Sequence, residues 1–184
     1  MSKEELVVLI LTVAVAAAVV LHTHLFGRRR HRQDVQRGWL DQALYWQDRG
    51  RPSLRYAHLR GAGLRGMDFG GDGAGRPGID LAFADLRAAR LAGSSLRGAV
   101  LKHANLAGAD LCGACLLGAD LREARLCRTR LRDADLRQAL LDRARLNGAD
   151  MSGADLTGAR ITPRQISRAG LLTGTVLPDG SVHP

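Results

Sequence analysis

Residues 106–121 read Leu-Ala-Gly-Ala-Asp-Leu-Cys-Gly-Ala-Cys-Leu-Leu-Gly-Ala-Asp-Leu, with a leucine at every fifth place. Outward from this stretch the phase holds without a slip from Leu81 to Ile161, over 17 positions: 15 Leu, Met151 and Ile161. Alanine stands two residues before 14 of the 17, the exceptions being Ile79, Ser94 and Thr129. Self-similarity this regular outranks local propensity as a guide to the fold.

A period of five fits neither regular element. On a helix the leucines would spiral around the axis instead of forming a stripe, and on a continuous strand they would alternate faces. The pattern closes only if the chain turns a corner in every unit. Ala and Leu then point inward, while the residue between them and the two after Leu point outward. Asp or Asn fills the intervening position in 8 of the 17 units, as at Asp85, Asn105, Asp110, Asp120 and Asp155. These carboxylates read as solvated wall residues. Gly often ends the unit, as at Gly93 and Gly118, where a corner needs freedom in φ.

The stretches AGAD-LCGAC-LLGAD-L and LNGAD-MSGAD-LTGAR-I make the chain similar to the pentapeptide-repeat family, over Leu54 to Ile161 with one interruption. The resemblance implies an all-β solenoid: a right-handed, quadrilateral β-helix with four units, and so about 20 residues, per coil. Alternating one bulky and one tiny inward residue is consistent with a narrow, filled tube. Coils would stack about 4.8 Å apart.

An earlier block, Leu54, Leu59, Leu64 and Phe69, repeats the pattern in another phase. The 12-residue step from Phe69 to Leu81 reads as two units plus two extra residues. Residues 70–78, rich in glycine, are expected to form a loop thrown out of the coil, either a tolerated insertion or a target-touching loop.

Residues 6–21 read LVVLILTVAVAAAVVL, without a charge. Extended through Phe26, the segment is long enough as a helix, about 30 Å, to cross a bilayer core. Its flanks favour an uncleaved anchor over a signal peptide, since Lys3, Glu4 and Glu5 precede it and Ala16-Ala17-Ala18 lies inside it. Arg28, Arg29, Arg30, His31 and Arg32 follow it. Positive flanks stay cytoplasmic, so residues 1–5 are expected outside, the single span over 6–26, and the repeats at the cytoplasmic face. Arg28, Arg29, Arg30 and Arg32 are the candidate lipid-headgroup residues. Of the net charge of +9, the stretch 28–65 carries +7, next to this span.

The basic segment 27–50 contains an amphipathic pattern from Asp34 to Asp48, with Val35, Trp39, Ala43 and Trp46 near one face. It reads as a cap on the open end of a coil spanning 51–161, with an interfacial helix as the alternative. At the other end, residues 162–184 begin with Thr162-Pro163-Arg164-Gln165, a capping-box helix start. Arg168 is expected in its last turn and Gly170 as its stop, followed by a strand and turn over 175–180.

The chemistry-bearing patterns are sparse. Gly61-Ala62-Gly63-Leu64-Arg65-Gly66 matches a dinucleotide fingerprint, but its glycines fall in pentad phase and no βαβ unit follows. Cys112 and Cys115 flank one corner, Cys127 lies on another face, and His103 is not an evident fourth ligand. No nucleophile elbow stands out. The expectation is a protein with no catalytic activity, no cofactor, no metal, no nucleic-acid partner and no small-molecule substrate.

Two functions remain. The first is a membrane-tethered scaffold for an unidentified protein partner, offering as its surface Arg122, Arg125, Arg128, Arg130, Arg132 and Arg137, with Arg143 and Arg145. The second, implied by the resemblance, is topoisomerase (gyrase) protection by DNA mimicry. Mimicry needs a strongly negative surface, whereas residues 78–161 carry +3. The resemblance also leaves open a homodimer through the C-terminal ends. The 25 Arg against 2 Lys fit a GC-rich bacterial source.

Overall fold

A computed structural model describes residues 53–71 and 78–184. The anticipated span over 6–26, the arginines at 28–32 and the segment 34–48 lie outside these residues. Among the described residues, no helix is long and apolar enough to cross a membrane.

The corner that the sequence demands is a four-residue turn. The Leu carbonyl accepts the N–H three residues on, as from Ala104 to Leu101 at 3.0 Å. The second residue after Leu has a positive φ, +61° at His103 and +67° at Gly108, the type II pattern. Glycine suits that conformation, yet nine of these corner residues carry a side chain, among them Phe83, His103, Glu123, Arg128 and Arg143.

Between corners the backbone is extended and pairs with the coils above and below. The Leu101 N–H donates to the Asp120 carbonyl at 2.7 Å, and the Asn105 N–H to that of Ala84 at 2.9 Å. Every rung between successive coils is parallel. Four columns of bridges result, and they define the four faces. Face 1 carries Ser53, Asp80, Val100, Asp120, Leu140 and Arg160. Face 2 carries His58, Asp85, Asn105, Arg125 and Arg145. Face 3 carries Gly63, Arg90, Asp110, Arg130, Asp150 and Leu171, and face 4 carries Asp68, Ser95, Cys115, Asp135, Asp155 and Val176.

From Asp80 to Arg160 the rungs repeat every 20 residues, the last two, Asp150 to Leu171 and Asp155 to Val176, span 21, and Ser53 pairs with Asp80, 27 residues away. The insertion therefore amounts to one ordinary unit plus seven extra residues, not two units plus two. Its base is pinned: the Gly71 N–H donates to the Arg97 carbonyl at 2.8 Å and the Ile79 N–H to that of Phe69 at 2.9 Å. A Cβ at Gly78 would meet the Arg97 carbonyl at 2.5 Å, so the chain re-enters the coil where only glycine fits. The loop body, 72–77, lies outside the described residues.

The interior is a single column of alternating Ala and Leu. Leu86, Leu101, Leu116 and Leu136, with Ala84, Ala104 and Ala124, are 0% exposed. Where Ala gives way to a hydroxyl, the group is satisfied: Thr129 donates to the Leu106 carbonyl at 2.9 Å and Ser94 to that of Leu91 at 2.7 Å.

The last coil ends on helix α1, Pro163–Ile166. Thr162 and Gln165 form the expected capping box. Gln165 also donates to the Leu141 and Ala144 carbonyls at 2.6 and 3.0 Å, the second being a carbonyl that a further coil would otherwise pair. The helix is shorter than the sequence suggests. It closes at Ser167, so Arg168 and Gly170 fall beyond it, because the chain there resumes the stack, with the Gly170 N–H bonded to the Ala149 carbonyl at 2.8 Å. Val176 then pairs with Asp155 on one side and antiparallel with Val182 on the other.

Candidate interaction surface

Each outward side chain sits at one of three places in the unit: mid-face before Leu, or at either of the two corner positions after it. The mid-face Asp and Asn residues are more than solvated wall. All eight in the in-phase repeats accept the backbone N–H two residues ahead, inside the following turn. Asp120 takes it from Arg122 at 3.1 Å, Asp135 from Arg137 at 3.1 Å and Asn105 from Ala107 at 3.3 Å. Asp80, Asp85, Asp110, Asp150 and Asp155 do the same. They are caps on the corners, in the manner of Asx-turns.

The first corner residue leans back over the same Asp. Arg87, Arg122 and Arg137 each make a two-pronged contact with Asp85, Asp120 and Asp135, closing to 2.6, 2.6 and 2.8 Å. Arg87 and Arg137 thereby hold the Asp85 and Asp135 carboxyls below the usual carboxylate range. At Asp120 and Asp110 partial burial pushes the other way, but hydrogen bonds to the following turn residue outweigh it and the net shift is again downward.

The 20-residue register separates the arginines that the sequence grouped. Arg125 and Arg145 are successive rungs of face 2, and Arg130 belongs to face 3. Arg122, Arg128, Arg132 and Arg137 occupy four different corners of one coil. Arg122 and Arg137 are paired as above, Arg130 approaches Asp110 at 3.6 Å, and Arg132 approaches Asp133 at 3.6 Å. Among the described residues, Arg125, Arg128, Arg143 and Arg145 have no carboxylate within ion-pair distance and are exposed.

The corner between faces 1 and 2 carries a column that sequence reasoning did not single out. Tyr56 stacks on Phe83 with ring centroids 5.0 Å apart, and Phe83 on His103 at 4.6 Å. Arg55 lies 5.6 and 5.5 Å from the first two ring centroids. Tyr56 and Phe83 remain 60% and 41% exposed. His103 also approaches Glu123 at 3.6 Å. The signal was present as residues 27 and 20 apart, but it needs the register to be read.

Cys115 is mid-face, Cys112 stands at the corner between faces 3 and 4, Cys127 at the corner between faces 2 and 3, and all are free thiols. Cys127 leans over face 2, its Sγ 3.8 Å from the Arg145 carbonyl. Cys112 lies beside Asp110 on face 3; burial first, then the nearby carboxylate, raises its thiol above the usual range. Cys115 is on face 4, 4.0 Å from Asp135. Among the described residues, no group of three or more His, Cys, Asp or Glu converges as a metal site would require.

A family model described as pentapeptide repeats matches residues 79–118 and 119–159. A pentapeptide repeat protein from the thylakoid lumen of Arabidopsis thaliana is 31% identical, with a TM-score of 0.51, covering 67% of this chain and 86% of that one. A pentapeptide repeat protein from Nostoc PCC 7120 is 32% identical, with a TM-score of 0.31, over 72% of this chain and 93% of that one. QnrB1, a plasmid-mediated fluoroquinolone resistance protein, is 22% identical, with a TM-score of 0.32, over 69% and 75% respectively. No curated protein matches.

Proposed function

The chain belongs to the pentapeptide-repeat family, with its right-handed quadrilateral β-helix, and we propose that it serves as a membrane-tethered scaffold mediating protein–protein interaction at the cytoplasmic face, without catalysis. The observation that carries this reading is the filled interior. Leu and Ala occupy it at 0% exposure from Ala84 to Leu126 and again over most of the length to Leu156, leaving only outer walls to act through. Those walls are held by backbone rungs in every coil, which makes them rigid platforms of the kind solenoids use for binding. The tether rests on the sequence: the uncharged stretch 6–21 followed by the arginines at 28–32.

Proximity labelling from the C-terminal end in native membranes tests the proposal. Labelled cytoplasmic proteins, together with retention of the chain through alkaline carbonate, are the expected result. A chain that washes off with carbonate, or that labels only extracytoplasmic proteins, contradicts it.

A further inference from the structure

Among the described residues, face 2 is the face whose mid-face rungs set two arginines next to each other; on face 4 the like-charged neighbours Asp135 and Asp155 share Arg137 at 2.8 and 3.9 Å. At its mid-face positions the two C-terminal coils carry Arg125 and Arg145 on adjacent rungs, where Asp or Asn would cap the following corner. Like charges directly opposite one another work against strand pairing. Arg130 shows the usual compensation on face 3, where it stands between Asp110 and Asp150. Arg125 instead stands between Asn105 and Arg145. Arg128 and Arg143 add guanidiniums at the two corners bordering the face, at φ of +56° and +59°, a conformation glycine adopts more easily. Arg168 continues the patch below, its carbonyl accepting the Gly148 N–H at 3.0 Å. Local choices that oppose the fold without a structural return mark positions kept for another purpose.

At the far end of the same border stand the exposed Tyr56 and Phe83. The surface is thus a wall rich in unpaired guanidiniums at one end and edged by aromatic rings at the other. Guanidinium forks match phosphate oxygens in pairs, and aromatic rings favour the headgroup level of a bilayer. We propose that face 2 is a membrane-docking surface that lies flat against anionic phospholipid headgroups, leaving face 4 turned toward the cytoplasm. This rests on the tethered reading, which supplies the nearby bilayer.

Cys127, at the corner bordering face 2 with its Sγ against the Arg145 carbonyl, reports on the face, with Cys112 at the corner between faces 3 and 4 and Cys115 on face 4 as controls. The full chain is placed in nanodiscs of phosphatidylcholine alone or with phosphatidylglycerol, and maleimide labelling of each thiol is followed. Cys127 should slow by at least about fivefold in the anionic discs, as guanidiniums held at an anionic surface would shield it. Cys112 and Cys115 should keep their rates. The Arg125→Asp/Arg145→Asp chain, which restores the capping residue at both positions, should fold and lose the protection. Unprotected Cys127, equal slowing of all three thiols, or protection that survives the double substitution would overturn the proposal. So would shielding of Cys127 by duplex DNA in neutral discs at physiological salt, which would make nucleic acid the partner. A chain that does not enter discs loses the tether alone; flotation with anionic vesicles then makes the same thiol comparison.

Discussion

At the scale of the residue, the decisive side chain after Leu and Ala is the mid-face Asp. It turns a corner that would be held by one backbone hydrogen bond into one held by two. Asp150 accepts both the Ser152 N–H at 3.1 Å and the Ser152 hydroxyl at 2.8 Å. Asp150→Ala should destabilise the protein by about 1 kcal/mol, as loss of a comparable helix cap does. Chemical denaturation would measure it, and an unchanged midpoint would show that the cap contributes nothing. The same residues set the response to acid. Asp85, Asp110, Asp120 and Asp135 have folded-state carboxyls below their ordinary range. Their contribution is present above the unfolded value, about pH 4, and is lost as pH falls through it toward the lower folded values. Stability should be level at neutral pH and decline below about pH 4, with a shallower decline in Asp135→Asn. Equal stability at pH 7 and pH 3 would contradict this.

At the scale of the element, the unit of structure is a quarter coil, and its inward pattern was legible because Ala and Leu recur without a slip. The helix start at Thr162-Pro163-Arg164-Gln165 was legible for the same local reason, a capping box read from spacing. What Gln165 does beyond it was not. Its amide reaches back 24 residues to the Leu141 carbonyl, and no local pattern signals that. Gln165→Ala should cost about 1–2 kcal/mol and speed hydrogen exchange in the last coil before the first. Uniform exchange across the coils would deny it a capping role. The insertion was misread because composition marks a loop but not the point where pairing resumes. That point is set by Gly78 passing against Arg97 and Ala99. The arginines were misgrouped for a related reason. Proximity in sequence places them around a coil, whereas membership of a face follows the 20-residue rung.

At the scale of the molecule, the rod has an uneven charge distribution. Face 4 carries Asp68, Asp135 and Asp155, whereas face 2 ends in unpaired arginines. A surface of this kind is a poor imitation of the evenly negative phosphate backbone. The full chain should leave gyrase supercoiling unchanged and give no protection from a fluoroquinolone. Inhibition at low micromolar concentration would favour the mimicry reading. The proposed tether and the proposed lipid docking both presuppose the coil itself.

The coil's register is tested most directly by a cross-link. In a Cys112→Ser/Cys115→Ser chain, Ala107→Cys places a thiol one rung above Cys127, with Cα atoms about 4.8 Å apart, inside the range a disulfide spans. Leu117→Cys places one on a corner across the coil. The account predicts an intramolecular disulfide with Cys127 from position 107 under mild oxidation and none from position 117. Cross-linking from 117, or its failure from 107 in a folded chain, would contradict the 20-residue coil.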